Sequence, residues 1–271
     1  MLKDLHTLTP YLDFIRTCNA DPDYRDPMLL TQQQLHRNLL DAPENPNTRV
    51  FGTFEGEAIT GVFALLVLED ERYLELLAGL SRSAAAYAEL LSHLKSAHPG
   101  YQADFVYNPR NRLLQEALAA LGAEFEPEQQ KLVLCRAVPY VPDARIVPYR
   151  PEYRAQYLAL HTVDRYWTGE KVLAAPEVFR VLLALEAGEV SGYIDLTHNS
   201  TENEPYDLFV REKSRRRGLG RALLSAVVQE NRPNGMALLV DIDNEAAIAL
   251  YESQGFDRAE GENNITAHIC L

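Results

Sequence analysis

The stretch from residue 208 to residue 224 holds the residues whose types and spacing most suggest chemistry. Between Arg211 and Arg221 there are five arginines and one lysine against one glutamate, in a chain whose net charge is −13. Gly218 and Gly220 then open a helical pattern. Backbone N–H groups at a helix start attract phosphate, glycines let it approach, and guanidinium groups add charge-assisted hydrogen bonds. The segment therefore predicts a binding turn for a polyanion such as pyrophosphate, against the alternative of an arginine-rich surface turn.

A second motif follows 24 residues after Gly220 and runs from Asn244 to Phe256. It has the form Asn-x-x-Ala-x-x-Leu-Tyr-x-x-x-Gly-Phe, and Arg215-x-x-Gly218-x-Gly220 precedes it. The two together resemble the GNAT superfamily of acyl-CoA N-acyltransferases, whose pyrophosphate signature is Arg/Gln-x-x-Gly-x-Gly/Ala. The resemblance extends over 208–256 in detail and over the second half of the chain in layout.

The resemblance implies that two central parallel strands, at 206–210 and 236–241, splay apart around acetyl-CoA, which acts as co-substrate. No metal is expected. The implied cofactor-binding residues are Phe209, Val210, Arg215, Arg216, Arg217, Gly218, Leu219, Gly220, Arg221 and Asn244.

The resemblance also implies two proton-transfer roles, because an amine attacks the thioester directly and must be neutral to do so. Tyr251 matches the family tyrosine that protonates the departing thiolate; its alternative role is to pack the helix on the sheet. Glu204, six residues before Val210, lies where many members carry the general base. Asp207, His198 and bulk water remain alternatives for the base.

The chain divides into two similar halves. Two prolines in 137–143 indicate an extended connector, so we predict domains at 1–136 and 144–271. Asn111 and Gly122 have the same spacing as Asn244 and Gly255, at an offset of 133, which indicates an internal duplication. The predicted fold class is α/β (α+β): two tandem GNAT-like domains, each with a twisted mixed sheet flanked by helices.

The elements that must position the second-half motifs follow from hydrophobic periodicity. We predict helices at 152–160, 219–229 and 245–253, and a hairpin over 181–196 in which helix and strand patterns overlap at 178–185. Further strands are predicted at 146–147, 206–210, 236–240 and 265–271.

The first half has a similar layout of predicted elements but lacks the residues of the candidate site. Ala85 and Tyr87 stand where Gly218 and Gly220 would align, and Leu118 stands for Tyr251. We therefore predict a degenerate domain at 1–136 that packs on the second half as in a GNAT dimer. The expected assembly is a monomer with pseudo-dimeric halves, or a homodimer.

Composition limits the functional classes. The negative charge argues against nucleic-acid and anionic-membrane partners, and no apolar run approaches the ~20 residues of a membrane helix. Three dispersed cysteines and the lack of a signal-peptide pattern predict a cytoplasmic protein.

The predicted function is transfer of acetyl from acetyl-CoA to a primary amine in a ternary complex, with a small-molecule or peptide amine as acceptor. The alternative is an acyl-CoA-binding sensor or regulatory module without turnover. Tyr166, Trp167 and Tyr193 are candidates for an acceptor pocket, although aromatic residues at this spacing are more often core. The acceptor itself is not identified by the sequence.

Overall fold

A computed structural model describes residues 1–161 and 167–271, so Tyr166 lies outside the described residues. The chain forms two compact units, one of residues 1–129 with 260–271 and one of residues 130–259. Of the helices described, none has the length and apolar character that crossing a bilayer would require.

Within the described ranges, fifteen strands and eight α-helices build the two units. The strands are β1 (Leu2–Asp4), β2 (Thr48–Glu55), β3 (Ala58–Leu68), β4 (Tyr73–Ser81), β5 (Gln102–Tyr107), β6 (Glu124–Phe125), β7 (Gln129–Leu134), β8 (Ile146–Pro148), β9 (Phe179–Glu186), β10 (Glu189–Thr197), β11 (Glu202–Asn203), β12 (Pro205–Val210), β13 (Gly235–Asp241), β14 (Phe256–Arg258) and β15 (Ile265–Cys270).

The helices complete the element order. They are α1 (Leu12–Asn19), α2 (Gln32–Leu35), α3 (Ala84–Ala97), α4 (Arg112–Ala120), α5 (Arg154–Leu158), α6 (Gly169–Ala174), α7 (Leu219–Asn231) and α8 (Glu245–Ser253). Short 3-10 turns lie at Thr9–Tyr11, Pro27–Leu29, Ala42–Glu44, Pro151–Tyr153 and Glu212–Ser214, and a π-helical turn lies at His36–Leu40.

The first unit is built on a seven-stranded sheet in the order β1-β2-β3-β4-β5-β15-β6. Only β4 and β5 pair in parallel, over Tyr73–Leu76 and Gln102–Phe105, and the other adjacent pairs are antiparallel. Two buried apolar clusters contain sheet residues, one together with α3 and α4 and the other with α1. The predicted mixed α/β class is confirmed by this arrangement.

The second unit contains two four-stranded sheets, β12-β10-β9-β8 and β11-β13-β7-β14. The strands β12 and β13, predicted to splay apart, therefore lie in different sheets. One apolar cluster packs α7 and α8 against both sheets, and a second joins α5 and α6 to β9 and β10. The ambiguous segment before Leu185 is strand from Phe179 onward, because its side chains alternate between these two clusters.

The duplication is visible at one pair of helix caps. Asn111 accepts a hydrogen bond from the backbone N–H of Leu114 at 3.2 Å, and Asn244 accepts one from Ala247 at 3.1 Å. An asparagine that bonds the third helical N–H fixes the start of a helix. The residues aligned by the offset of 133 thus perform the same structural task in α4 and α8.

The compact units differ from the predicted division at 1–136, 137–143 and 144–271. The last strand, β15, pairs antiparallel with β5 of the first unit. In the second unit, β7 takes the position between β13 and β14. Relative to the division predicted from the proline-rich connector, each compact unit contains one strand from the other predicted domain. Pairing of strands remote in sequence leaves no local signal.

Candidate functional site

A cleft of about 650 Å³ opens between the end of β12 and the first turns of α7 and α8. The two sequence motifs therefore meet in one place. Most of the predicted site residues line this cleft: Phe209, Val210, Arg215, Arg216, Gly218, Leu219, Gly220, Arg221, Asn244 and Tyr251. That they bind a cofactor stays a prediction.

The turn before α7 exposes the helix start to the cleft. Gly218 is its N-cap residue, with φ 83° and ψ 0° in the left-handed region that favours glycine. Within residues 1–161 and 167–271, no side chain caps α7. A Cβ on Gly220 would lie 3.4 Å from Cδ2 of Leu250, so this glycine keeps open a space that a side chain would fill. The helix start is thus suited to receive an anion.

Glu186, at the end of β9, holds the basic turn in place. Its Oε2 accepts a hydrogen bond from the Ser214 hydroxyl at 2.6 Å, and its Oε1 lies 3.0 Å from the Arg217 guanidinium. The Ser214 hydrogen bond, followed by the charge of Arg217, lowers the pKa of Glu186. Arg217 therefore places its guanidinium on the hairpin, whereas Arg215 donates to the carbonyl of Val210 at 3.0 Å beside the cleft.

Tyr251 lies on α8 with most of its surface buried. Its ring packs edge-to-face on Phe256 at 5.7 Å between centroids, and the residue also lines the cleft. Packing and exposure to the cleft are therefore both present at this tyrosine. The role of proton donor stays a prediction.

The three candidate bases occupy different surroundings. Glu204 precedes β12, where its backbone exchanges hydrogen bonds with Thr197, and it is not among the residues that line the cleft. His198 is half-buried, with Nε2 2.9 Å from the carbonyl oxygen of Pro176. Asp207 lies next to Leu208 of the cleft and accepts a 2.6 Å hydrogen bond from the Tyr193 hydroxyl.

Asp207 also belongs to a buried polar cluster, formed with His161 and Asp195, on the face of β12 that carries Phe209. One ligand atom each from His161, Asp195 and Asp207 lies within 4.8 Å of the others, so the cluster has the donor set for a cation or for proton transfer. Tyr157 donates to both carboxylate oxygens of Asp195 at 3.0 Å. Burial raises the pKa of Asp195, and His161 opposes that rise.

His161 and Asp195 are not among the site residues predicted from the sequence. The residues lie 34 positions apart, in a segment after α5 and in the middle of β10, and no spacing rule joins such positions. The one sequence signal for a buried carboxylate is that Asp195 stands between the apolar residues Ile194 and Leu196 of a predicted strand.

The equivalent region of the first unit is filled by its own side chains. Tyr87, aligned with Gly220, is fully buried; its hydroxyl donates to the carbonyl of Ser81 at 3.1 Å and accepts from Asn111 at 2.8 Å. The strand β4 pairs with β5 only over Tyr73–Leu76. Further along β4, the backbone N–H of Gly79 donates a hydrogen bond to Asp26 at 2.6 Å. A buried, hydrogen-bonded tyrosine therefore takes the position in the first unit that aligns with Gly220.

Comparison with known proteins finds a family match within the second half of the chain. Residues 146–256 match the family model "Acetyltransferase (GNAT) family". A stretch of 62 residues is 44 % identical to ribosomal protein bS18-alanine N-acetyltransferase of Escherichia coli strain K12, covering 22 % of this chain and 42 % of that protein. The chain thus spans less than half the length of the curated relatives it matches.

Solved structures resemble the whole chain. A GCN5-related N-acetyltransferase from Sphaerobacter thermophilus matches with a TM-score of 0.66 at 15 % identity, over 100 % of this chain and 95 % of that one. A tandem GNAT protein from the clavulanic acid biosynthesis pathway matches with a TM-score of 0.54 at 15 % identity, over 100 % and 98 %. At such identity the likeness establishes the fold alone, and the fold is that of tandem GNAT proteins.

Proposed function

Because residues 146–256 belong to the GNAT acetyltransferase family, we propose that this chain is an N-acetyltransferase that moves an acetyl group from acetyl-CoA to a primary amine. The observation that carries the proposal is the cleft at the start of α7. At this helix start lie Gly218, whose φ is in the left-handed region, Gly220, which leaves space that a side chain would fill, and the arginines of the turn. We propose direct attack of the amine in a ternary complex.

The residues present fit the cofactor. The α7 start, with the guanidinium groups of Arg215, Arg216 and Arg221, would hold the pyrophosphate through helix-end N–H groups and charge-assisted hydrogen bonds. The outermost strand β12 would bind the pantetheine as an added strand, through the backbone at Phe209 and Val210. Arg217 would act on the turn through Glu186.

When bound, acetyl-CoA supplies a thioester whose carbonyl carbon accepts the amine. In this chain Tyr251 would protonate the departing sulfur from the α8 side of the cleft. Glu204, Asp207, His198 and water are the sequence-based candidates for the base. Of the three residues, Asp207 is adjacent in sequence to a residue that lines the cleft.

The proposed acceptor is an amine that is cationic in solution. A net charge of −13 raises the local concentration of such amines near the protein. The partially matching relative carries an N-terminal alanine acetyltransferase name, so a peptide that begins with alanine belongs among the acceptors to be tested.

The proposal is tested by incubating the full chain with acetyl-CoA and a panel of polyamines, aminoglycosides and alanine-initiated peptides while free thiol is measured. We expect amine-dependent thiol release and an acetylated amine identified by mass spectrometry. Tight CoA binding without thiol release across the panel would instead favour a sensor or regulatory module.

A further inference from the structure

The buried polar cluster on β10 and β12 supports a specific role in the proposed reaction, and the inference rests on that proposed function. We propose that His161 accepts the proton of the attacking amine, that Asp195 positions its imidazole, and that Asp207 holds the acceptor as a primary ammonium. His161 would then be the catalytic base, and Asp195 a positioning residue.

The two ring nitrogens of His161 face different carboxylates. Nε2 lies 3.1 Å from Oδ2 of Asp195, although the contact is not aligned as a regular hydrogen bond. Nδ1 lies 4.0 Å from Oδ2 of Asp207, which is too long for a hydrogen bond. A proton assigned to Nε2 would face Asp195 and leave the Nδ1 lone pair directed toward Asp207. This is the arrangement of a base oriented by a third group.

Asp195 is more deeply buried than Asp207, as expected if Asp195 positions the imidazole and Asp207 binds the acceptor. The Asp195 side chain is fully buried and the Asp207 side chain is 20 % exposed, while that of His161 is 8 % exposed. A ligand therefore reaches the cluster from the Asp207 side. The gap between Nδ1 and Asp207 would let one ammonium group contact both.

A continuous aromatic stack joins the cluster to the cleft. His161 stacks on Tyr193 at 4.3 Å between ring centroids, and Tyr193 stacks on Phe209 at 5.9 Å. Phe209 lines the cleft in which the thioester would lie. The three rings thus form a continuous row from the cluster to the cleft, and Asp207 lies two positions before Phe209 on the same face of β12.

The surroundings of the imidazole are built to hold it. Among the residues that the structure describes, the titratable groups shown to face it are Tyr157 from α5, Tyr193 and Asp195 from β10, and Asp207 from β12. A Cβ at the first residue of α6, Gly169, would lie 2.9 Å from Cδ2 of Leu158 and 3.0 Å from Cγ of His161, so this glycine makes room for both side chains. The carboxylates around the ring stabilise an imidazolium once it forms.

The proposed step balances as follows. The ammonium passes one proton to Nδ1 of His161, and the freed lone pair forms the C–N bond as the C–S bond breaks. The sulfur leaves with the bonding electrons and takes the Tyr251 proton, and the second nitrogen proton restores that hydroxyl. The imidazolium then releases its proton to solvent, so acetyl-CoA and an ammonium yield an amide, CoA and one proton.

The test compares His161→Gln with wild type in the full chain, using the acceptor found in the thiol-release screen. We expect kcat to fall by about 10²-fold or more while acetyl-CoA affinity by calorimetry is unchanged. With hydroxylamine as acceptor, which is neutral at the assay pH, the defect should shrink strongly because no proton has to be removed before the nitrogen attacks. His268→Gln is the matched control, because His268 also contacts two carboxylates but lies in the first unit.

Two further variants test the inference if His161→Gln folds poorly. Asp195→Asn should lower kcat and move the acid limb of the pH profile to lower pH, because a lost negative charge destabilises the imidazolium. Gly169→Ala should lower kcat by displacing the ring while every polar group remains.

Several outcomes would overturn the inference. The first is that wild type acetylates amines and His161→Gln does so equally fast. Absence of turnover in wild type would instead reject the proposed function. Loss of the acid limb in Glu204→Gln but not in His161→Gln would assign the base to Glu204. A stoichiometric metal whose removal abolishes activity would make His161 a ligand.

Discussion

Ser214 donates its hydroxyl proton to Oε2 of Glu186 across 2.6 Å, and this contact ties the basic turn to the β9–β10 hairpin. The same carboxylate pairs with Arg217 at 3.0 Å. A residue remote from the two motifs thus fixes the backbone to which a pyrophosphate would bind. The geometry of the turn depends on this acid as well as on its own glycines.

Replacing Glu186 should therefore weaken cofactor binding without changing the chemical step. We expect Glu186→Gln to raise the Kd of acetyl-CoA about tenfold, the equivalent of one charge-assisted hydrogen bond, with kcat at saturation retained. Calorimetric titration measures the affinity. Glu189→Gln, an exposed change in the same hairpin, is the control. Equal affinities for the two variants would show that Glu186 does not hold the turn.

The phenol of Tyr251 can be tested with little change in packing. Tyr251→Phe keeps the ring that packs on Phe256 and removes the proposed acid. We expect kcat to fall by about 10²-fold or more, with acetyl-CoA affinity unchanged. Tyr140→Phe, at an exposed position, controls for loss of a tyrosine hydroxyl. If kcat is retained when chemistry limits turnover, the hydroxyl is not the acid.

The parts of the fold that could be predicted from the sequence are those that local patterns determine. The helix at 245–253 is found with both its predicted ends, because Asn244 and Gly255 are cap residues that act within a few positions. The strand at 265–271 is also found, but its partner is β5 of the first unit. This pairing joins strands more than 150 residues apart in the sequence, and composition and periodicity do not encode such contacts.

The same distinction holds for the site. The turn and the α8 motif are contiguous in sequence and could be predicted together. His161 meets Asp195 only because β10 and the segment after α5 pack together. A histidine with no neighbouring ligand residues gave no pattern to recognise.

Strand exchange predicts which fragments fold. A fragment of residues 145–271 lacks β7, which pairs with β14, and retains β15 without β5. We expect it to self-associate through unpaired strand edges, whereas 130–259 should be monodisperse and unfold cooperatively. Size-exclusion chromatography with light scattering distinguishes the two. A monodisperse, cooperatively unfolding 145–271 fragment would contradict the pairing.

The contact of β15 with β5 should depend on pH through His268. Burial lowers the pKa of His268, but hydrogen bonds to Asp104 and Glu126 outweigh it, and the net pKa is raised. A group with a raised folded-state pKa stabilises the fold fully below its unfolded value and loses that contribution as pH rises through the folded value.

His268→Gln should therefore destabilise the full chain more at about pH 5.5 than at about pH 9. Thermal unfolding of both proteins at the two pH values measures the difference in Tm. A difference that is constant, or larger at high pH, would contradict this role for the histidine.

The most direct test of the account is calorimetric titration of CoA into the full chain and its Gly220→Glu variant. A glutamate there adds bulk and negative charge in the turn, while Gly220→Ala, whose Cβ meets Leu250 at an ordinary contact distance, tests bulk alone. We predict one site per wild-type chain, because Tyr87 fills the aligned position in the first unit. Gly220→Glu should abolish binding and Gly220→Ala should weaken it less. A folded Gly220→Glu variant that binds CoA as tightly as wild type would contradict the assignment of the site.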